Sequence, residues 1–259
     1  MRLRLLRHAT LLLEYHALQI LVDPMLSAQG AMDPVPMAAD TRRIPLVDLP
    51  IDGAQLQALV NAVDGVLVTH LHRDHWDAEA VALLPKTLPI FCQPPDAQTL
   101  CDQGFAAVTP VADVVNWRGI AFQRTGGQHG TGAIGRRMAP VSGFVLRAPD
   151  EPVLYIAGDT IWCQEVVDAL QGQRPEVIVV NAGAAQFLTG DPITMTAADV
   201  VSVAHAAPDA QIIAVHMETI NHCGLTRPAL HSALAAAGCA VNVAIPDDGA
   251  WIDLAIRPA

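Results

Sequence analysis

Between Gly65 and Asp77 the chain reads GVLVTHLHRDHWD, setting three imidazoles (His70, His72, His75) and two carboxylates (Asp74, Asp77) almost side by side. A solvated face more often uses Lys and Glu, and a packed core would leave every one of these groups unsatisfied. Neutral imidazoles with a carboxylate are what Zn²⁺ or a similar divalent ion takes as ligands. His70 and His72 are two apart, so in extended backbone their side chains leave on the same side. Asp74 and His75 follow as the chain turns. Asp77 reads as the N-cap of the helix AEAVALL rather than as a ligand. Further donors end other apolar runs: VLYIAGDT delivers Asp159 and QIIAVHM delivers His216. His129 sits in GGQHGTG, whose glycines allow close backbone approach.

Such donors need rigid elements behind them. Short apolar runs of strand length recur, among them LLLEY, QILVD, GVLVTH, LPIFC, FVLRA, VLYIAGD, EVIVVN and QIIAVH. DGAQLQALVNAV carries Leu56, Leu59, Val60 and Val63 at helical period. TMTAADVVSVAHAA offers Thr196 as N-cap with Asp199 three residues on, and TRPALHSALAAAG reads as a helix capped by Thr226 and ended by Gly238. An early run of strands followed by alternation with helices predicts an α/β or mixed α+β class. Two stretches read as irregular, Pro24 to Gly53 and Arg124 to Pro140, and a loop as long as the first is usually functional or disordered. No repeat or composition break divides the chain, so a single domain over 1–259 is expected.

Hydrophobic residues make up 52% of the 259 positions and charged residues 16%, enough apolar surface for a sizeable core. The formal net charge of −11 argues against general affinity for nucleic acid or anionic lipid. The five cysteines form no C-x-x-C pair, which fits reduced thiols in a cytoplasmic protein. No apolar run long enough to span a membrane occurs. The partner expected is a small-molecule substrate, with neither nucleic acid nor membrane, and a homo-oligomer is compatible with the chain.

The series His70-Leu-His72-Arg-Asp74-His75, followed in order by His129, Asp159 and His216, resembles the H-x-H-x-D-H signature and later donors of the metallo-β-lactamase superfamily. HATLLLE…LVDPML, VIVVNAGAAQF and AVHMETINHC resemble its branch containing L-ascorbate-6-phosphate lactonase, except that Arg7 stands before His8 where that family commonly carries Gly. The resemblance implies an αββα sandwich with a metal pair at one edge of the sheets. It implies His70, His72 and His129 on one ion, Asp74, His75 and His216 on the second, and Asp159 bridging. Zinc is the first expectation, manganese or iron the alternatives. The implied activity is hydrolysis of a small ester, lactone or phosphorylated substrate by a hydroxide held between the metals, Asp74 taking the water's proton. An iron-dependent oxygenase or a phosphodiesterase-type hydrolase of the same fold is the alternative. The bridging position holds Asp where one large class of true β-lactamases has Cys, which turns the expectation away from antibiotics.

Several residues carry weaker signals. His222, in the loop after His216, is a candidate to protonate a leaving group and equally an ordinary loop histidine. His8 is a candidate to line the site or a strand-end histidine. Asn181 ends EVIVVN at the same kind of edge, though NAG is also turn chemistry. Asp23, before Pro24, is expected to support the ligands from behind. Arg136 and Arg137, with Arg42 and Arg43, are candidates to grip an anionic group, against the commoner fate of solvated arginines. His16, His205 and His231 read as structural.

Overall fold

The computed structural model describes residues 1–138 and 140–254; Ala139 of the second irregular stretch and positions 255–259 of the expected domain lie outside the described residues. The strands, in chain order, are β1 (Arg2–Arg7), β2 (Thr10–Tyr15), β3 (Leu18–Val22), β4 (Gly65–Val68), β5 (Ile90–Cys92), β6 (Val108–Pro110), β7 (Val114–Trp117), β8 (Ile120–Thr125), β9 (Gly143–Arg147), β10 (Leu154–Ile156), β11 (Val177–Asn181), β12 (Gln211–Val215), β13 (Val243–Ala244) and β14 (Trp251–Asp253). They form two seven-stranded sheets, ordered β14-β1-β2-β3-β4-β5-β6 and β13-β12-β11-β10-β9-β8-β7. Each sheet is antiparallel in one half and parallel in the other, the parallel halves being β3 to β6 and β10 to β13.

The strand period of two sorts side chains between layers. On β2, Leu11, Leu13 and Tyr15 enter the core between the sheets, whereas Leu12 faces outward. On β11, Val177 and Val179 face inward, Ile178 and Val180 outward. Phe91 stacks on Phe122 across the central layer with ring centroids 4.4 Å apart. The outer face of the first sheet is covered by α1 (Gly53–Ala62), α2 (Ala78–Leu83) and α3 (Ala97–Asp102), through Val60, Ala80 and Leu100. The second is covered by α5 (Gln164–Gln173), α6 (Ala197–Ala206) and α7 (Arg227–Ala236), through Val166, Val200, Val203, Leu230 and Leu234. These four layers are the αββα sandwich expected from the resemblance. The remaining helix, α4 (Gly132–Met138), falls inside the stretch expected to be irregular. Its glycines hid it, since Gly132 and Gly135 lower helix propensity. Among the described residues no helix is long and apolar enough to cross a membrane.

The caps match the sequence. Asp52, Asp77, Thr196 and Thr226 each accept a backbone N–H at the start of their helix, and Thr196 with Asp199 closes a capping box. Asp77 also ties down the long loop, its Oδ2 accepting from Ser27 N and Oγ at 2.8 and 2.6 Å. The same loop is pinned by Arg7, fully buried, whose guanidinium donates to the carbonyls of Met25, Ser27 and Val47. Burial brings that guanidinium down to about 10. The arginine that departs from the family's usual glycine thus anchors the loop running over the sheet edge.

Candidate metal centre

Every donor emerges just past the carboxyl end of a strand, where open parallel sheets place their sites. His70 to His75 follow β4, His129 follows β8, Asp159 follows β10 and His216 follows β12. His8 occupies the turn between β1 and β2. Three of these edge residues, His8, Asp23 and His216, hold positive φ (60°, 44° and 74°), strain of the sort that packed functional sites retain.

The side chains converge in three overlapping groups whose donor atoms lie within 4.8 Å of one another: His70, His72 and His129; His70, His75 and Asp159; and His8, Asp74, His75 and His216. Asp159 stands at the centre. Its Oδ2 lies 3.3 Å from His75 Nε2, 3.5 Å from His129 Nε2 and 3.9 Å from His70 Nε2, and its Oδ1 lies 3.2 Å from His216 Nε2. Asn181 Nδ2 donates to that Oδ1 at 2.7 Å and fixes the carboxylate's rotation.

Groups behind the site set which ring nitrogen faces inward. Asp23 accepts from Thr69 N and Thr69 Oγ1, both at 2.7 Å, and from His75 Nδ1 at 2.8 Å. With its proton given to Asp23, the Thr69 hydroxyl oxygen accepts from His70 Nδ1 at 3.0 Å. His129 Nδ1 donates to the Ile193 carbonyl at 2.8 Å, and His216 Nδ1 lies 3.7 Å from Cys223 Sγ. With Nδ1 so engaged, each Nε2 turns a lone pair toward the centre, the arrangement that supports ligating histidines. Two pairs of ring nitrogens stand close together: His70 Nε2 and His72 Nδ1 at 2.9 Å, and His75 Nε2 and His216 Nε2 at 3.3 Å. Nitrogens this close can share one cation as ligands. The residues therefore fit the binding of divalent metal.

The electrostatics agree. Burial holds His70 and His129 below the usual imidazole range, hence neutral as ligands must be. Burial also opposes charge on His75, yet Asp159 and Asp23 on either side outweigh it and raise His75 well above that range. Burial would raise Asp74 and Asp159; the neighbouring imidazoles overcome it and hold both carboxylates ionised. A cation at this point neutralises the same carboxylates that otherwise hold a proton on His75.

The remaining candidates fall into distinct places. His222 lines a cavity of about 400 Å³ in front of the cluster, shared with His72, Asp74, His129 and Asp159. Its burial drives the imidazole down to about 4. His8 does not line this cavity; it is fully buried beneath Asp74, Nε2 to Oδ2 3.3 Å, with its ring 3.6 Å from that of His216. Asn181 likewise faces Asp159 rather than the opening. Arg137 borders an adjoining slot, and Arg136, exposed on α4, does not line the cavity. Arg42 and Arg43 pair with Asp40 and Asp33. His205 contacts Cys239 at 3.2 Å and His16 packs at Gly119, both away from the donors. Arg73, Phe187, Met138 and the segment Pro34–Pro36 complete the cavity wall. None carries a sequence signal except Arg73, which sits inside the metal motif itself. A wider surface depression, near 740 Å³ and lined by Leu26, Asp48, Ile51 and Glu79, lies elsewhere and holds none of the donors.

Fold and donor set together define a protein of the β-lactamase superfamily. The family model described as "Beta-lactamase superfamily domain" matches residues 19–217, and the chain belongs to this family. Among curated relatives, it is 38% identical over 253 residues to UPF0173 protein YddR of Bacillus subtilis (strain 168), across 96% of this chain and 98% of that one. Among solved structures, it superposes with TM-score 0.93 on an isothiocyanate hydrolase from Delia radicum gut bacteria, 36% identical, covering 99% of this chain and 100% of the other. A possible metal-dependent hydrolase from Veillonella parvula gives the same TM-score at 34% identity, covering 98% and 99%.

Proposed function

We propose that this metal-dependent hydrolase is binuclear and adds water to an electrophilic carbon of a small substrate. The reading rests on one observation above all: the Asp159 carboxylate stands between two donor sets, with both oxygens within 4 Å of their nitrogens. His70, His72 and His129 would hold one divalent ion, and Asp74, His75 and His216 the other, with Asp159 shared; zinc is the first choice, manganese or iron the next. Such a pair supplies a water acidified toward a pKa of about 7 and a Lewis acid for the substrate's heteroatom. Asp74 offers a carboxylate oxygen to take the attacking water's proton. His222, neutral at pH 7, lines the cavity wall, where its N–H can hydrogen-bond the substrate heteroatom on which charge builds as water adds.

The cavity favours carbon over phosphorus as the electrophile. Arg73 is the single cation among its lining residues, while Pro34, Val35, Pro36, Met138 and Phe187 are apolar. Phosphate recognition calls for convergent arginines. Similarity over full length to an isothiocyanate hydrolase supports the carbon of an isothiocyanate as the target. The stretches that resemble the ascorbate-6-phosphate lactonase branch make a lactone carbonyl the second substrate class to test. Five unpaired cysteines support work in the reducing cytoplasm.

The experiment is elemental analysis of protein purified without added metal, joined to a panel of isothiocyanates, lactones and phosphodiesters. Two divalent ions per chain and isothiocyanate turnover are expected. His72→Ala should abolish turnover in a folded protein. Iron at one per chain with oxygen uptake overturns the reading in favour of an oxygenase.

A further inference from the structure

The metal-facing cavity shares part of its wall with a neighbouring space. Pro36, Met138 and Phe187 also line a second, narrower space of about 220 Å³, whose other walls are Met37, Ile134, Thr189 and the Arg137 side chain. The structure assigns this slot to the apolar tail of the substrate, a group the size of a phenyl ring, with the reacting carbon held at the metals. The assignment rests on the hydrolytic reading above and adds to it the shape and polarity of the molecule.

Size and lining carry the argument. A cavity of about 150 Å³ lined by aliphatic and aromatic side chains takes up benzene, so this slot holds a ring with a short connecting chain. Apart from the Thr189 hydroxyl and the Arg137 head group, its lining side chains are hydrocarbon or thioether. A polar tail would lose water there without recovering hydrogen bonds, whereas the Arg137 stem adds apolar surface and leaves its charge in solvent.

The slot is also built, not incidental. Its walls come from the long loop, from α4 and from the loop after β11, and each is held by contacts outside the slot. Leu188 N donates to the Met37 carbonyl at 2.7 Å. Asn221 brackets Val35 by accepting from its N–H at 2.8 Å and donating to its carbonyl at 3.1 Å. Gly190, at φ +99°, brings its backbone so close to Ile134 that a Cβ there would lie 2.4 Å from Ile134 Cδ1. Backbone thus presses Ile134 into place. At the outer rim Met37 and Leu188, joined by that backbone hydrogen bond, are 58% and 65% exposed, an apolar threshold for a substrate tail.

The test uses metal-loaded full-length protein with methyl, hexyl and benzyl isothiocyanate, and ligand-observed NMR with 3-phenylpropanol as a probe that cannot react. Expected are kcat/KM at least tenfold higher for benzyl than for methyl, and saturable probe binding. In Ile134→Trp, which fills the slot, and in Met37→Glu, which charges its exposed rim, the benzyl-to-methyl ratio should fall toward one and probe binding weaken tenfold or more. Circular dichroism melts establish that both variants fold. Turnover without tail dependence, or probe binding absent or indifferent to both variants, overturns the slot while the hydrolytic reading stands. Probe binding lost in the variants, with none of the isothiocyanates hydrolysed, upholds the slot and sinks the isothiocyanate assignment. A dimer that Met37→Glu dissolves, with tail selectivity unchanged, reassigns the apolar rim to a second copy of the chain.

Discussion

His8 Nε2 lies 3.3 Å from Asp74 Oδ2, and His8 Nδ1, wholly buried, has no hydrogen-bond partner. That pairing fixes the tautomer. Were Nε2 a bare ligand, Nδ1–H would be a buried donor without an acceptor, which costs about 1–3 kcal/mol. His70, His75 and His129 each give Nδ1–H an oxygen acceptor, and His8 does not. Nε2–H therefore donates to Asp74, and His8 positions that carboxylate instead of binding metal. Replacing His8 by Phe should weaken the ion held with Asp74 by about 10–100-fold, leaving the ion of His70, His72 and His129 in place. His8→Gln, which restores a donor, should recover much of the loss. Chelator competition and the visible spectrum of cobalt-substituted protein read this out; equal cobalt spectra and affinities in wild type and His8→Phe refute it.

Asp23 offers a second handle, because one buried carboxylate accepts from Thr69 twice and from His75 once. Asp23→Ala leaves the buried Thr69 N–H and hydroxyl and the His75 N–H without their acceptor. A loss of about 3 kcal/mol is expected, which for a chain of this size lowers Tm by roughly 10 °C. Thermal melts in chelator isolate this effect from metal binding. A drop under about 2 °C would mean that the carboxylate does not hold the site together.

Much of this arrangement was legible in the sequence. The run His70 to His75, Asp159 and His216 stood out because each follows an apolar strand, where period-two burial gives way to exposed chemistry, whereas His129 stood out only by its Gly-rich setting. Asp77 as a cap and Asp23 as a support were readable because a short acid beside a helix start or a strand-ending Pro has few other uses. The role of His8 was not readable. Its burial beneath Asp74 depends on the β1–β2 turn meeting the end of β4 from far away in sequence, and nothing near position 8 encodes that meeting. The partner of Asn181 was unreadable for the same reason, since Asp159 belongs to the neighbouring strand. The cavity walls were silent as well: Pro36, Met138 and Phe187 come from three separate segments, and apolar residues in loops look alike until folding brings them together. Strands β6, β7, β8 and β14 and helices α3, α4 and α5 went unread because they are short or because polar or glycine positions break their periodicity.

Burial lowers His222 from the ordinary 6.5 to about 4. The unfolded chain therefore binds a proton that the folded chain refuses between those values, so this histidine costs stability progressively as pH falls from 6.5 to 4 and nothing above. Replacing it by Gln should flatten the loss of stability across that window and leave stability at pH 8 nearly unchanged. Urea denaturation at several pH values measures the slope. Parallel slopes for wild type and His222→Gln would place the imidazole in water rather than in the cavity wall.

If the donors divide between two ions as proposed, the two sites should also be separable at a position that carries no donor. A Cβ at Gly183 would stand 2.4 Å from the His216 carbonyl oxygen, 2.8 Å from His216 Nδ1 and 2.9 Å from Cys223 Sγ. Two of those atoms fix the orientation of the imidazole, and the carbonyl belongs to backbone that cannot step aside. Gly183→Ala must therefore tilt or displace His216, which reaches the shared carboxylate through Nε2. His70, His72 and His129 hang from β4 and from the Gly-rich loop and feel none of this. The variant is expected to keep one tightly held ion per chain, to release the second at chelator concentrations at least tenfold below those needed for the wild type, and to lose hydrolysis in step with that second ion. Two ions retained with wild-type affinity would mean that His216 is not among the ligands, and the division of the cluster into two sites would have to be redrawn.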